Sequence, residues 1–216
     1  MYKLVVFDLD GTLLDTLDDL TASTNSALKT HGFPSRTKEE VRSFIGDGIV
    51  KLLERSVGIE NYPRIQEMVT DFRAYYKVHC KDETRPYAGV SALLQTLKDT
   101  GVQLAVLSNK VHAATQELIA DYFPNVFDVV MGENEAAGIK RKPCPVALLK
   151  IMETLGVSKE ETAYVGDSEV DIQTAQNAEV DCVSVTWGFK SEAFLQKHGA
   201  KRIARDMISL QEALLK

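Results

Sequence analysis

Leu4-Val5-Val6-Phe7-Asp8-Leu9-Asp10-Gly11-Thr12 is the stretch on which the fold turns. Four unbroken apolar residues closed by two acids and a glycine read as a short strand buried on both faces, with a polar turn at its carboxyl end. Comparable runs recur at Leu104-Ala105-Val106-Leu107, Val126 to Met131, Ala163-Tyr164-Val165 and Cys182-Val183-Ser184-Val185. Helical patterns separate them: Val90, Leu93, Leu94 and Leu97 before Gly101; Val146, Leu149, Met152 and Leu155 before Gly156; and Val170 to Ala178. Buried strands alternating with helices specify an α/β chain with a parallel sheet.

One stretch breaks the alternation. Residues 15–84 show helical periodicity throughout and no convincing strand, which reads as an inserted all-helical domain; residues 1–14 and 85–216 then form the α/β core domain. Thr16 is placed to cap a helix carrying Leu17, Leu20 and Leu28, with Asp19 in its first turn and Gly32 and Pro34 beyond its end. Thr37 and Glu40 have the spacing of a capping box. A third helix carries Ile49, Leu52 and Leu53 after Gly46-Asp47-Gly48, and a fourth carries Ile65, Met68, Val69, Phe72 and Tyr76.

Composition narrows the class. The 216 residues are 44% hydrophobic and carry 25 Lys+Arg against 31 Asp+Glu, a formal net charge of -6. Such a chain packs a core and is neither disordered nor collagen-like. Cys80, Cys144 and Cys182 match no disulfide framework and no CxxC motif, so free thiols are expected. No apolar run approaches the ~20 residues of a membrane span, and the first residues lack a signal-peptide pattern. A cytoplasmic protein with no membrane partner is expected. The absence of a long basic cluster argues against nucleic acid.

In a parallel sheet, the polar groups that follow different strands converge on one edge. Asp8, Asp10 and Thr12 follow the first strand, Ser108 and Asn109 another, and Gly166, Asp167, Ser168 and Asp171 a third, while Lys140-Arg141-Lys142-Pro143 lies in a loop before a helix. Carboxylates for a metal, a carboxylate nucleophile, a hydroxyl and a cation make a set suited to phosphoryl transfer. Mg2+ held by Asp8, Asp167 and Asp171 would offset the repulsion between a carboxylate and a phosphate dianion. Asp8 would attack to form an aspartyl phosphate, and Asp10 would protonate the leaving alkoxide and then deprotonate the attacking water. Ser108 and Lys142 would stabilise the phosphoryl oxygens. A lone Asp-x-Asp after a strand is more often a solvated loop or a helix cap than a catalytic pair.

DLDGTLLD, SNK, KPCP and GDSEVD also stand in the order and approximate spacing of the haloacid dehalogenase-like superfamily, which the chain resembles over its whole length. The resemblance implies a Rossmann-like parallel sheet core with helices on both faces and an inserted helical cap. It implies a metal site formed by the Asp8 carboxylate, the Asp10 backbone carbonyl and Asp167, with Asp171 acting partly through water. Thr12 and Asn109 are counted as substrate-binding candidates. Thr16 to Leu20, Arg42 to Gly48, Tyr87 to Val90 and Ser108-Asn109-Lys110 look most like phosphoglycolate phosphatases. An acid at position 10 favours an oxygen leaving group over a carbon-halogen or carbon-phosphorus bond.

The expected activity is therefore Mg2+-dependent hydrolysis of a small phosphate monoester, with 2-phosphoglycolate leading, by a monomer or homodimer. A lid over the site would exclude water and favour small phosphorylated metabolites. A phosphomutase of the beta-phosphoglucomutase type and a pyrophosphatase are the enzymatic alternatives. A non-catalytic phospho-signalling module is the remote one, since receivers carry their phosphoacceptor after a middle strand and have no inserted domain. Cys144 lacks a nucleophile's partners, and His31, His79, His112 and His198 lack metal-ligand spacing. Arg42, Lys51 and Arg55 read as surface cations, and Trp187 and Gly188 as packing or loop residues near the site.

Overall fold

The computed structural model describes residues 1–216. In chain order the elements are β1 (Leu4–Phe7), β2 (Leu14–Asp15), α1 (Leu17–Thr30), α2 (Lys38–Phe44), α3 (Gly48–Val57), α4 (Ile65–His79), β3 (Arg85–Pro86), α5 (Val90–Asp99), β4 (Gln103–Val111), α6 (His112–Tyr122), β5 (Val129–Glu133), α7 (Val146–Leu155), β6 (Thr162–Gly166), α8 (Glu169–Ala178), β7 (Asp181–Val185), α9 (Glu192–Lys197), β8 (Arg202–Ala204) and α10 (Met207–Leu215). No helix is long and apolar enough to cross a membrane.

Six strands form one sheet in the order β5-β4-β1-β6-β7-β8, parallel at every pairing. Counted along the chain this is the doubly wound order 3-2-1-4-5-6, whose direction reverses between β1 and β6. The α/β expectation holds. All four residues of β1 are buried, as a central parallel strand covered on both faces requires. Leu4, Val6, Ala105, Leu107 and Tyr164 pack from the sheet against Ala147, Leu148, Ile151 and Met152 of α7 and Ala175 and Ala178 of α8.

The chain divides into two compact units, Met1–Leu14 with Pro86–Lys216 and Asp15–Arg85. The second is helical from α1 to α4, with Leu28, Val41, Leu53, Met68 and Phe72 completely or almost completely buried. Thr37 and Glu40 form the reciprocal capping box. Buried Asp19 ties the start of α1 to the end of this unit, accepting from Glu83 N at 3.0 Å, Thr84 N at 2.9 Å and Thr84 Oγ1 at 2.7 Å.

Three local readings change. Thr16 stands at the N-cap of α1, but its hydroxyl makes no capping bond and is buried without a partner; Leu17 N instead donates to Asp15 Oδ1 at 3.3 Å. In α7 the buried stripe is Ala147, Leu148, Ile151 and Met152, while Val146 and Leu149 are 50% and 37% exposed. This helix carries two apolar stripes, and the sheet takes the one displaced by a residue. The strand read from Val126 begins at Val129 instead. Asn125 turns the chain with φ 60°, Phe127 packs edge-on against Phe7 and Phe123, and Asp128 fixes the entry through Leu104.

Candidate active site

The reversal between β1 and β6 opens a crevice at the carboxyl ends of the strands, and the turns after β1 and β6, the end of β4 and the loop after β5 supply its side chains. Asp8 leaves β1 tied to its neighbour, its N–H donating to Val165 O at 2.8 Å. Its Oδ1 accepts from Leu9 N at 2.7 Å and lies 2.9 Å from Lys142 Nζ. Both bonds fall on one oxygen, so Oδ2 is the one turned to a ligand or an electrophile.

Lys142 arrives on the loop before α7 through a cis peptide to Pro143. Asn109, at the end of β4, clasps that loop: its Nδ2 donates to Lys142 O at 3.2 Å and its Oδ1 accepts from Lys142 N at 2.7 Å. The side chain is 3% exposed, and its ammonium uses its three protons on Asp171 Oδ1 at 2.7 Å, Asp8 Oδ1 at 2.9 Å and Tyr164 OH at 3.1 Å. Burial works against the charge, but Asp171 and Asp8 outweigh it and hold the lysine well above its usual pKa. Tyr164 passes its own proton to Leu107 O at 3.0 Å, which joins β4, β6 and Lys142 through a completely buried hydroxyl.

Asp167 is 1% exposed. It accepts from Thr12 Oγ1 at 3.1 Å and from Phe189 N at 2.7 Å. Close approach to this acid depends on glycine. A Cβ on Gly188 would lie 2.3 Å from Gly11 O and 2.4 Å from Asp167, and one on Gly11, at φ +84°, would lie 2.5 Å from Asp167 Oδ2. Trp187 Nε1 donates to Thr12 O at 3.1 Å, closing the loop after β7 onto the turn after β1. Asp171 caps α8 through Ser168, accepting from its N at 3.0 Å and its Oγ at 2.6 Å.

Asp8, Asp167 and Asp171 bring ligand oxygens within 4.8 Å of one another. Three acids stand against one lysine in a desolvated place. Burial pushes Asp8 up to about 7, with Lys142 pulling it down and Asp171 pushing further up; burial and then Asp171 and Asp8 raise Asp167 well above the carboxylate range. The cluster is short of positive charge, and its donors are hard oxygens, so it fits a divalent cation of the Mg2+ kind.

Asp10 is turned elsewhere: both its oxygens lie 2.8 Å from Lys110 Nζ. Ser108 is buried at the end of β4 and accepts from Lys110 N at 3.1 Å, which leaves its own proton to donate. Thus Asp8, Lys142, Asp167 and Asp171 converge, with Ser108 carried at the end of β4 and Asp10 on the turn after β1. Of the two substrate-binding candidates, Thr12 donates its hydroxyl to Asp167 and Asn109 engages the backbone of Lys142 with its amide. Tyr164, Lys110 and Phe189 were not among the predicted residues. Lys110 stood inside the quoted SNK and Phe189 after Trp187-Gly188, but Tyr164 read only as a strand residue.

Comparison with known proteins gives a consistent result. The family described as haloacid dehalogenase-like hydrolase matches residues 5–185. Phosphoglycolate phosphatase 1 of Pseudomonas aeruginosa is 35% identical over 195 residues, covering 87% of this chain and 70% of its own. Phosphoglycolate phosphatase of Neisseria meningitidis is 33% identical over 208 residues, covering 92% and 86%. A solved structure, a candidate phosphoglycolate phosphatase from Lactobacillus delbrueckii subsp. bulgaricus, superposes with a TM-score of 0.93 at 38% identity and covers 99% of this chain and 98% of its own.

Proposed function

Because the chain belongs to the haloacid dehalogenase-like hydrolases and is a phosphatase of that family, we propose that it hydrolyses 2-phosphoglycolate through a phosphorylated Asp8 and with Mg2+. The observation that carries the reading is the asymmetric hold on Asp8, with Oδ1 fixed by Leu9 N and Lys142 and Oδ2 turned outward. A nucleophile held by one oxygen presents the other in a defined direction, which converts an encounter into an oriented attack.

Asp8, Asp167 and the backbone carbonyl of Asp10 would hold the ion. The two oxygens of Asp171 already serve Lys142 and Ser168, so its share would pass through water. When bound, Mg2+ neutralises charge between a carboxylate and a phosphate dianion. In the first half of the reaction Oδ2 of Asp8 forms a bond to phosphorus, the phosphorus–oxygen bond to glycolate breaks, and Asp10 gives the departing oxygen a proton. In the second half water attacks the same phosphorus, Asp10 takes its proton, and the Asp8 carboxylate is restored. Ser108 donates to the phosphoryl oxygens. Lys142 keeps Asp8 oriented and supplies charge beside it. The relatives named phosphoglycolate phosphatase support the choice of substrate.

Phosphate release from a panel of small phosphate esters tests this. 2-Phosphoglycolate is expected to have the highest kcat/KM, and EDTA to abolish release until Mg2+ is restored. Asp8→Asn is expected to be inactive on every ester while remaining folded. Turnover by that variant overturns the nucleophile, and preference for pyrophosphate or transfer to a sugar hydroxyl overturns the substrate.

A further inference from the structure

We propose that Lys110 is the positioning residue for Asp10, holding its carboxylate where it exchanges protons with the leaving group and with water. The inference rests on the acid-base role given to Asp10 above. Three observations carry it. The ammonium of Lys110 meets both carboxylate oxygens of Asp10 at 2.8 Å, which fixes the orientation of the carboxylate plane where a single contact would leave it free to turn. The pair is sheltered, with the lysine side chain 7% exposed and that of Asp10 17% exposed, so the attraction is little screened by solvent.

The third observation is the anchoring of Lys110 itself. Its N–H donates to Ser108 Oγ at 3.1 Å, and its carbonyl accepts from Thr115 Oγ1 at 3.3 Å. Gly132 on β5 packs so closely that a Cβ there would stand 2.5 Å from Lys110 O. The backbone from which the side chain starts is thereby held in place, and in this structure the ammonium ends on Asp10. Lys142 likewise meets Asp8, but at one oxygen, and shares its charge with Asp171. Each catalytic acid in the turn after β1 is gripped by its own lysine, one from the loop after β5 and one from the end of β4.

The test separates the two halves of the reaction by leaving group. An alkyl ester such as 2-phosphoglycolate needs a proton from Asp10 to depart, whereas p-nitrophenyl phosphate releases a phenolate that is stable without one. Hydrolysis of the phosphorylated Asp8 needs Asp10 as base for either ester. Lys110→Met is therefore expected to lower kcat on 2-phosphoglycolate by about 10²-fold, the scale of a misplaced acid-base group. On p-nitrophenyl phosphate it is expected to give a rapid burst approaching one p-nitrophenolate per enzyme, followed by slow steady turnover, with phosphate retained on the protein. Lys110→Arg, which keeps a cation with two donors, is expected to recover part of the lost rate and shrink the burst.

An equal loss on both esters with no burst, at unchanged melting temperature, makes Lys110 a general structural support and overturns the proposal. A raised KM with unchanged kcat makes it a substrate contact and also overturns it. Should Lys110→Met melt far below the parent, the burst in Lys110→Gln decides in the same way. Asp8→Asn run beside them is expected to show neither burst nor turnover; activity there would defeat the phosphorylated-Asp8 reading itself, whatever Lys110 does.

Discussion

The side chains of the site are held less by their own loops than by neighbours distant in sequence. Asp167 owes its place to Thr12 and Phe189, and room for it is left by Gly11 and Gly188. Gly188→Ala would drive a methyl into Gly11 O and Asp167 at 2.3 and 2.4 Å, so the loop after β7 must withdraw and the bond from Phe189 N to Asp167 must lengthen. Partners that orient a metal ligand are worth about 10- to 100-fold in affinity or activity. The expected outcome is a Mg2+ requirement raised by that order, read from activity against Mg2+ concentration. Gly101→Ala is the control, since Gly101 has open space around it and only its φ of +81° to strain; it is expected to lower stability and leave the Mg2+ requirement unchanged. Asp8, Asp10 and Asp167 were legible as candidates because acids that follow separate buried strands meet at one edge of a parallel sheet, whereas Lys142, in a loop, stood out through the KPCP it opens. Tyr164 was not legible, because within an apolar run a tyrosine reads as bulk, and only the fold shows that its hydroxyl reaches Lys142. The partners of Thr12 and Asn109, Asp167 and the backbone of Lys142, were not legible, since a short polar side chain can face a ligand or a neighbour with equal ease.

At the scale of elements, period and length decided what could be read. The five strands read in the sequence and the helices of residues 15–84 carry enough residues for a pattern to emerge. The edge strand β8 has three residues, too few for any period, and α7 offers two stripes between which only the sheet can choose. Caps divide the same way. Thr37 and Glu40 form their box because both partners lie within four residues of each other. Thr16 occupies the equivalent position on α1 but is completely buried, and its hydroxyl finds no acceptor or donor. The two threonines should respond oppositely to loss of the hydroxyl. Thr37→Ala is expected to lower stability by about 1 kcal/mol, the ordinary worth of an N-cap. Thr16→Val keeps the shape and removes an unpaired buried polar atom, so it is expected to be neutral or to raise stability by about 1 kcal/mol. Urea midpoints of the two variants decide; a fall for Thr16→Val similar to that for Thr37→Ala would mean that its hydroxyl is bonded in solution.

For the whole molecule, the net charge of -6 would seem to disfavour an anionic ester. The distribution sharpens this, because Asp8, Asp10, Asp167 and Asp171 are gathered at one sheet edge where only Lys110 and Lys142 meet them, an excess that the proposed Mg2+ would offset. What two lysines do not neutralise makes the protein's stability depend on pH and on metal together. Burial raises Asp8 to about 7 and Asp167 well above the carboxylate range, whereas in the unfolded chain both titrate near about 4. The folded state therefore holds these protons more tightly than the unfolded one. Their contribution to stability is present below the unfolded pKa and is lost as pH rises through the folded values. On the proposed reading Mg2+ would bind the ionised form and displace those protons, so its stabilisation would grow over the same range, reaching about 2.7 kcal/mol when its concentration is a hundred times its dissociation constant. Without metal, the melting temperature is expected to carry a falling contribution from these acids between pH 5 and 8, and added Mg2+ to raise it far more at pH 8 than at pH 5. Asp167→Asn should shrink the difference, since it removes one of the acids whose protons compete with the ion. An equal Mg2+ shift at both pH values would show that the ion binds elsewhere, and that the buried acids are balanced by protein alone.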